Sequence, residues 1–103
     1  MCNFTLYLIM KASIRHKALQ QFWEKGDSSK IPADQRNKIR LILDTLNDLT
    51  AMPQDLLPFR NWRVHQLSGN YTGYWSLTVK ENWRIIFKFE GKNVLDLDYL
   101  DYH

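Results

Sequence analysis

The spacing of the apolar residues changes halfway along the chain, and this change limits the folds that the chain can adopt. In the first half the apolar residues recur at helical spacing, and one such stripe consists of Ile39, Ile42, Leu43, Leu46 and Leu49. In the second half apolar and polar residues alternate, which is typical of strands with one buried face. The chain is therefore predicted to be α+β, because only the helices are available to cover the apolar face of the sheet.

Two helices are predicted in the first half. The first follows Ser13, which can cap it, and ends at Gly26, a residue type that commonly closes helices. The second begins at Pro32, whose ring suits the first turn of a helix, and Asp34 in that turn favours the helix dipole. A strand over residues 4 to 14 is predicted to precede both helices.

The second half is predicted to be an antiparallel meander with one apolar and one mostly polar face. Turns near Glu81 and in the stretch EGKN separate its strands. The apolar positions are Trp62, Val64, Trp75, Leu77, Val79, Trp83, Ile85, Phe87, Phe89, Leu95, Leu97 and Tyr99. By the same alternation, the polar face carries Arg63, His65, Tyr74, Ser76, Thr78, Arg84 and Lys88.

This polar face is a candidate surface for nucleic acid. Basic side chains bind phosphates, and a tyrosine ring can stack on bases. The net charge of +3 permits an anionic partner without requiring one. An exposed sheet face can equally be polar because it is solvated, so the alternation alone leaves both interpretations open.

The composition favours one compact domain over residues 1 to 103. The chain is 45% hydrophobic, which suffices for one modest core. Cys2 is the single cysteine, so an intrachain disulfide and a zinc site built from thiolates are excluded. The apolar N-terminal segment is shorter than the roughly 20 residues that span a bilayer, and it lacks a cleavage signal. We therefore expect a cytoplasmic protein.

The chain ends in Asp101, Tyr102 and His103, and a final strand would hold these side chains at the rim of the sheet. His103 and His65 would then be two imidazoles near one basic face. RNA cleavage needs one group to take the 2′-OH proton, another to protonate the 5′-oxygen, and a cation beside the phosphate. Imidazole suits both proton transfers. The opposing interpretation, that both histidines are structural or merely exposed, is not excluded by the residues alone.

No motif for metal or cofactor chemistry stands out. Asp96 and Asp98 lie on the same side of a strand, but nothing nearby in the sequence supplies further ligands for a divalent metal. The chain also lacks a glycine-rich phosphate loop and a nucleophile elbow. No metal site and no cofactor are therefore predicted.

The stretch GYWSLTVKENWRIIFKFEGKNVLDLDYLDYH resembles the C-terminal half of HigB-type toxins of the RelE/ParE superfamily, also called plasmid maintenance or host-killing toxins. The likeness rests on G-Y-W-S, N-W-R and the closing D-Y-H. The stretch IRHKALQQFWEKG resembles the first helix of that family, and VHQLSG resembles its L-H-P-L-K-G segment. The resemblance covers residues 9 to 103.

The resemblance implies a RelE/ParE-like fold, with two N-terminal helices packed on one face of a mainly antiparallel sheet. It implies the toxin of a type II toxin–antitoxin system, which cuts mRNA in the ribosomal A site as a ribosome-dependent endoribonuclease and inhibits translation. It also implies a helix-turn-helix antitoxin of the HigA type as partner, with operator DNA reached only through that antitoxin.

Roles for individual residues follow from the same resemblance. His65 and His103 match the proton-transfer groups, and Asp101 would orient or tune one of them. Tyr102 would stack on or hydrogen-bond to the substrate nucleotide. Arg84 of N-W-R matches a basic residue that binds the scissile phosphate. The residues expected to bind RNA are Arg63, Tyr74, Lys80 and Lys88.

Two departures from the family pattern leave alternatives open. Residues 1 to 9 are either an N-terminal extension or lie before a natural start at Met10. Ser68 stands where the family often has lysine, so a cation is missing unless its place is taken by Arg63, Lys80 or Lys88.

Two other functions are therefore kept beside the nuclease. The missing lysine favours a degenerate toxin that only binds its antitoxin. Membership of the ParE branch would make the chain a non-nucleolytic toxin that acts on DNA gyrase. His65 and the closing D-Y-H favour the nuclease over that branch, which does not rely on such a cluster.

Overall fold

The computed structural model describes residues 13 to 101, and over this range the predicted α+β class is confirmed. Helix α1 spans Lys17–Lys25 and helix α2 spans Arg36–Asn47. The strands are β1 (His65–Gln66), β2 (Trp75–Lys80), β3 (Trp83–Glu90) and β4 (Asn93–Asp101). They form an antiparallel sheet in the order β1-β2-β3-β4, which is the predicted meander.

Several predictions concern residues outside this range. They are the strand over residues 4 to 14, apart from its last two residues, the extension over residues 1 to 9, and the roles of Tyr102 and His103. Within residues 13 to 101, neither helix is long and apolar enough to cross a bilayer.

Helix α1 ends as predicted but begins differently. Gly26 closes it in the left-handed conformation, with φ at 70°. The predicted cap at Ser13 is wrong, because the helix begins four residues later and His16 caps it. The Nδ1 atom of His16 accepts the backbone N–H of Ala18 at 3.2 Å. The Ser13 hydroxyl instead accepts the backbone N–H of Asp96 at 2.8 Å, which ties the chain before α1 to β4.

Helix α2 begins later than predicted. A short 3-10 turn over Ala33–Gln35 follows Pro32, and its Gln35 N–H donates to the Pro32 carbonyl at 2.9 Å. The regular helix therefore starts at Arg36 and not at Pro32. The predicted apolar stripe is confirmed, since all five of its residues are buried: Ile39, Ile42, Leu43, Leu46 and Leu49.

One core contains residues from both helices and from one face of the sheet. The prediction of Leu95 as a core residue is wrong. The pairing of β3 with β4 shifts its register between Ile86 and Lys88, and Asp96 adopts a left-handed φ of 53°. This bulge reverses the alternation of β4, so that Val94 is buried in place of Leu95.

The predicted strand around Trp62 and Val64 is also wrong in extent. Trp62 ends a 3-10 turn over Arg60–Trp62, and Arg63 follows with a left-handed φ of 50°. The strand that remains, β1, pairs only with Trp75 and Ser76 of β2. Beyond Ser76, the outer edge of β2 is thus not covered by a strand of the described chain.

Candidate functional site

The polar face of the sheet carries its side chains in three rows. The middle row contains His65, Ser76, Ile86 and Asp98, which are in register across the four strands. The second row contains Thr78, Arg84 and Leu100. The third row contains Tyr74 and Lys88, whose Nζ lies 5.0 Å from the centre of the tyrosine ring. The residues predicted for this face from the strands therefore do share it. The expectation that the whole face is exposed is wrong at its centre, where Ser76 is 1% and Ile86 2% exposed.

The Tyr74 ring was predicted to bind RNA, but it is not accessible for stacking on a base. Only 9% of it is exposed, and Lys88 lies over the ring. Its hydroxyl accepts a hydrogen bond from Arg15 Nη1 at 3.4 Å. This bond, together with the charge of Asp98, raises the pKa of Arg15 above its ordinary value. Arg15 reaches the face because Ile14 pairs in parallel with Leu97, a contact that no local pattern predicts.

His65 is exposed on β1 and is held by one described contact. Its Nδ1 lies 2.7 Å from the backbone carbonyl oxygen of Arg63. A carbonyl can only accept, so Nδ1 carries the proton in this contact. In the neutral ring, Nε2 is then unprotonated and can accept a proton from a substrate, and in the charged ring it can donate one.

Arg84 is fixed against the turn between β2 and β3. Its Nη1 donates to the backbone carbonyl of Glu81 and, at 3.2 Å, to that of Trp83. Both bonds use the same nitrogen of a group with five donors. Within the recorded contacts of residues 13 to 101, Nε and Nη2 thus remain for an anion.

A groove of about 380 Å³ lies beside the uncovered edge of β2 and brings three predicted residues together. These are Arg63, Lys80 and Arg84. The groove is also lined by Lys38 of α2, which was not predicted as a site residue. No pattern signals its role, because residues 38, 63 and 84 meet only in the folded chain. We call this surface the cationic groove; its polar lining comprises Lys38, Asn61, Arg63, Thr78, Lys80, Glu81 and Arg84.

Lys80 differs from the other lysine of the groove because it forms an ion pair with Asp34. The hydrogen bond from Lys80 lowers the pKa of Asp34 below 3.8, and the same bond raises the pKa of Lys80 above 10.5. Both groups are exposed, and solvent weakens the pair. Lys80 therefore offers an anion less uncompensated charge than Lys38 does.

The pair makes a small contribution to stability that depends on pH. The Asp34 contribution is present above pH 3.8 and is lost as pH falls through its lowered pKa. The Lys80 contribution is present below pH 10.5 and is lost as pH rises through its raised pKa. We expect Asp34→Asn to lower the melting temperature slightly near neutral pH, with the difference vanishing at both extremes. Thermal scans of both proteins across pH test this, and a difference that persists in acid would contradict it.

Asp101 is not brought together with His65. It pairs with Trp83, and alternation along β4 puts it on the side of Tyr99. Burial raises the pKa of Tyr99 to about 12, with the charges of Asp34 and Asp101 adding to the shift. Sheet spacing separates the backbones of Asp101 and His65 by roughly 17 Å. Asp101 can therefore act on groups near the end of β4, and not directly on His65.

The carboxylates of β4 that could approach a metal have other partners. Asp96 is bound to Ser13, and Asp98 Oδ1 accepts the backbone N–H of Tyr99 at 2.9 Å. Among residues 13 to 101, no three side chains of His, Cys, Asp or Glu converge on one point.

The chain matches one family of known proteins over most of its length. The model of the family described as RelE-like toxin of type II toxin-antitoxin system HigB matches residues 12–103. A curated relative named Endoribonuclease HigB, from Proteus vulgaris, is 37% identical over 94 residues. The alignment covers 91% of this chain and 100% of the relative. The range matched by the family model includes every residue predicted for the site, from Arg63 to His103.

Proposed function

The chain belongs to the family of RelE-like HigB toxins of type II toxin–antitoxin systems, and from this we propose that it is an endoribonuclease that cleaves mRNA on the ribosome. A toxin of this class has an antitoxin as its partner. One observation carries the proposal beyond the family: a histidine with an available Nε2 lies on the same face of the sheet as Arg84, beside the cationic groove. Proton transfer and phosphate binding can therefore occur on one surface.

The proposed reaction needs no group beyond the side chains. A base takes the proton of the ribose 2′-OH, and the 2′-oxygen attacks the adjacent phosphorus. The bond from phosphorus to the 5′-oxygen breaks, and an acid protonates that oxygen as it leaves. The products are a 2′,3′-cyclic phosphate and a free 5′-OH. We assign the two proton transfers to His65 and His103, one as the base and the other as the acid.

The cations stabilise the charge that develops on the phosphate. In the transition state the phosphorane carries more negative charge than the substrate, so a fixed cation beside it lowers the barrier. Arg84 suits this role because its guanidinium is already held by the turn carbonyls. Arg63 lines the same groove and is our candidate to replace the family lysine that is Ser68 here.

The remaining predicted residues are assigned supporting roles. Asp101 orients His103, and Tyr102 contacts the substrate nucleotide. Lys80 and Lys88 bind the RNA backbone. Tyr74 acts indirectly, because its ring and hydroxyl hold Lys88 and Arg15 in place on the polar face.

The finer features of the family are part of the same proposal. We infer a RelE/ParE-like architecture in which both helices cover one face of the sheet. We also infer an antitoxin of the helix-turn-helix HigA type, operator binding only through that antitoxin, and action in the cytoplasm, where ribosomes are. The gyrase-directed and antitoxin-only alternatives predict no RNA cleavage.

Mapping of RNA 5′ ends tests this function. After induction of the toxin, we expect new ends inside coding regions, in register with codons and bearing 5′-OH groups. They should disappear when initiation of translation is blocked, and purified toxin should leave mRNA intact without ribosomes. Unchanged RNA together with gyrase-dependent DNA damage would support the gyrase-directed alternative. Unchanged RNA without any toxicity would support the antitoxin-only alternative.

A further inference from the structure

The cationic groove is the strongest feature that the proposed reaction does not use in full. We infer that it binds a phosphodiester of the mRNA next to the one that is cleaved, and that Lys38 is an RNA-binding residue. This inference rests on the proposed nuclease function and adds a substrate contact from helix α2.

The groove exists because β1 is only two residues long. Beyond Ser76 the edge of β2 faces the 3-10 turn over Arg60–Trp62 instead of a strand. Trp62, 2% exposed, is buried below the turn, and its neighbours Asn61 and Arg63 both line the groove. The turn thus presents two donor side chains to the space beside β2, and its core tryptophan fixes their position.

The charges of the groove favour an anion. Glu81 is the acid that lines it, against Lys38, Arg63, Lys80 and Arg84. The Lys80 charge is offset by Asp34, whereas no ion pair is recorded for Lys38, Arg63 or Arg84 in the described part of the chain. Partial burial also lowers the pKa of Lys38, because the groove walls remove water from its ammonium group. An anion in the groove would supply the partner that the lost water no longer provides.

The donors of the groove suit a phosphate group. The guanidinium groups of Arg63 and Arg84 offer planar pairs of donors, which suit phosphate oxygens. Lys38 adds a point charge, and Asn61 and Thr78 add neutral donors. Contacts of this mixed kind are typical of backbone binding that does not depend on base sequence.

The groove is also in the right place to extend the proposed active site. Arg84 lines it and pairs with Leu100 of β4, the residue before the terminal triplet. The edge of β2 and β4 are two strand spacings apart, about 10 Å. An RNA strand held in the groove would therefore pass over Arg84 towards the end of the chain.

Binding of an uncleavable single strand tests the inference. The probe is a labelled RNA of about eight nucleotides with 2′-O-methyl groups, which lacks the attacking hydroxyl. We expect Lys38→Gln to lower the affinity for this probe about fivefold at low salt. It should also reduce the magnitude of the slope of log K against log salt by about 0.7, which corresponds to the loss of one phosphate contact. Lys38→Arg should keep the affinity within about twofold. Arg40→Gln is the matched control, since Arg40 lies on the same helix but is paired with Asp44 at 3.6 Å, and it should change neither quantity.

Each outcome decides the inference. An unchanged slope for Lys38→Gln, an equal loss for Arg40→Gln, or no binding by the wild type would overturn it. A loss of antitoxin affinity without a loss of RNA affinity would also overturn it and would assign the groove to the antitoxin. Cleavage of mRNA on ribosomes, measured in parallel, separates the two proposals. Wild-type cleavage with Lys38-independent binding overturns only the role of the groove. Lys38-dependent binding without cleavage overturns the nuclease, and with it the position next to a cleaved phosphodiester, and leaves Lys38 as an RNA-binding residue.

Discussion

Replacing His65 by glutamine is expected to slow mRNA cleavage by about 10²- to 10⁴-fold, the usual contribution of a general acid or base. His65 is exposed and makes one described hydrogen bond, from Nδ1 to the Arg63 carbonyl. Glutamine is polar and close in size to histidine, and position 65 is exposed, so the local structure is expected to be retained. Glutamine cannot exchange a proton, so only the chemical step is lost. Single-turnover cleavage of mRNA on programmed ribosomes measures this directly.

The neighbouring residue supplies the control for this prediction. Gln66 is exposed on the same strand but points to the other side of the sheet, so Gln66→Ala should cleave at the wild-type rate. Both variants should keep the wild-type melting temperature and antitoxin binding. A chain that ends at Leu100 lacks the terminal triplet and should be as inactive as His65→Gln. If His65→Gln cleaves normally while that chain does not, proton transfer belongs to the triplet alone.

The features that sequence reasoning predicted correctly are those set by short-range periodicity. Helical spacing identified the buried stripe of α2, and strand alternation identified the face that carries His65, Arg84 and Lys88. Both patterns lie within a few consecutive residues, so they can be recognised without any knowledge of tertiary contacts. Gly26 belongs to the same class, because its left-handed conformation is a local requirement.

The errors arise where a distant contact overrides a local pattern. The hydroxyl of Ser13 bonds to Asp96 across 83 positions of sequence, so it is not free to cap α1. The bulge at Asp96 reverses the alternation of β4, and no residue type in that strand announces it. Arg15 and Lys38 were missed as site residues for the same reason. Each reaches its surface only through packing between separate elements.

The candidate site shows the same division. Residue types and strand alternation indicated which side chains share the polar face. They did not indicate that Tyr74 would be buried beneath Lys88, or that Asp101 would lie on the side of Tyr99. The burial of Tyr74 and the side on which Asp101 lies both depend on the register of four strands, which is a property of the whole sheet.

Replacing Trp62 by alanine is expected to lower the free energy of unfolding by about 3–5 kcal/mol, the range typical of a buried aromatic residue. Trp62 is 2% exposed and belongs to the main core. Its ring stacks on Phe59, with the ring centres 4.1 Å apart and the planes 11° from parallel. Alanine would remove this stacking and leave a cavity beneath the 3-10 turn. Urea denaturation measures the loss, with Leu57→Ala as the control, because Leu57 is 56% exposed and should change stability by less than about 0.5 kcal/mol.

Trp62→Phe separates the stability of the core from the position of the turn. Phenylalanine keeps an aromatic ring against Phe59, so the loss of stability should be well below that of alanine. Because the phenylalanine ring is smaller, we expect the 3-10 turn to shift towards the core. Asn61 and Arg63, which flank position 62, would then move relative to β2. We therefore expect a folded protein with weakened binding of single-stranded RNA, at temperatures far below its melting transition. Wild-type RNA affinity in Trp62→Phe would mean that the groove tolerates displacement of the turn, whereas a full loss of stability would mean that the indole itself fixes the core.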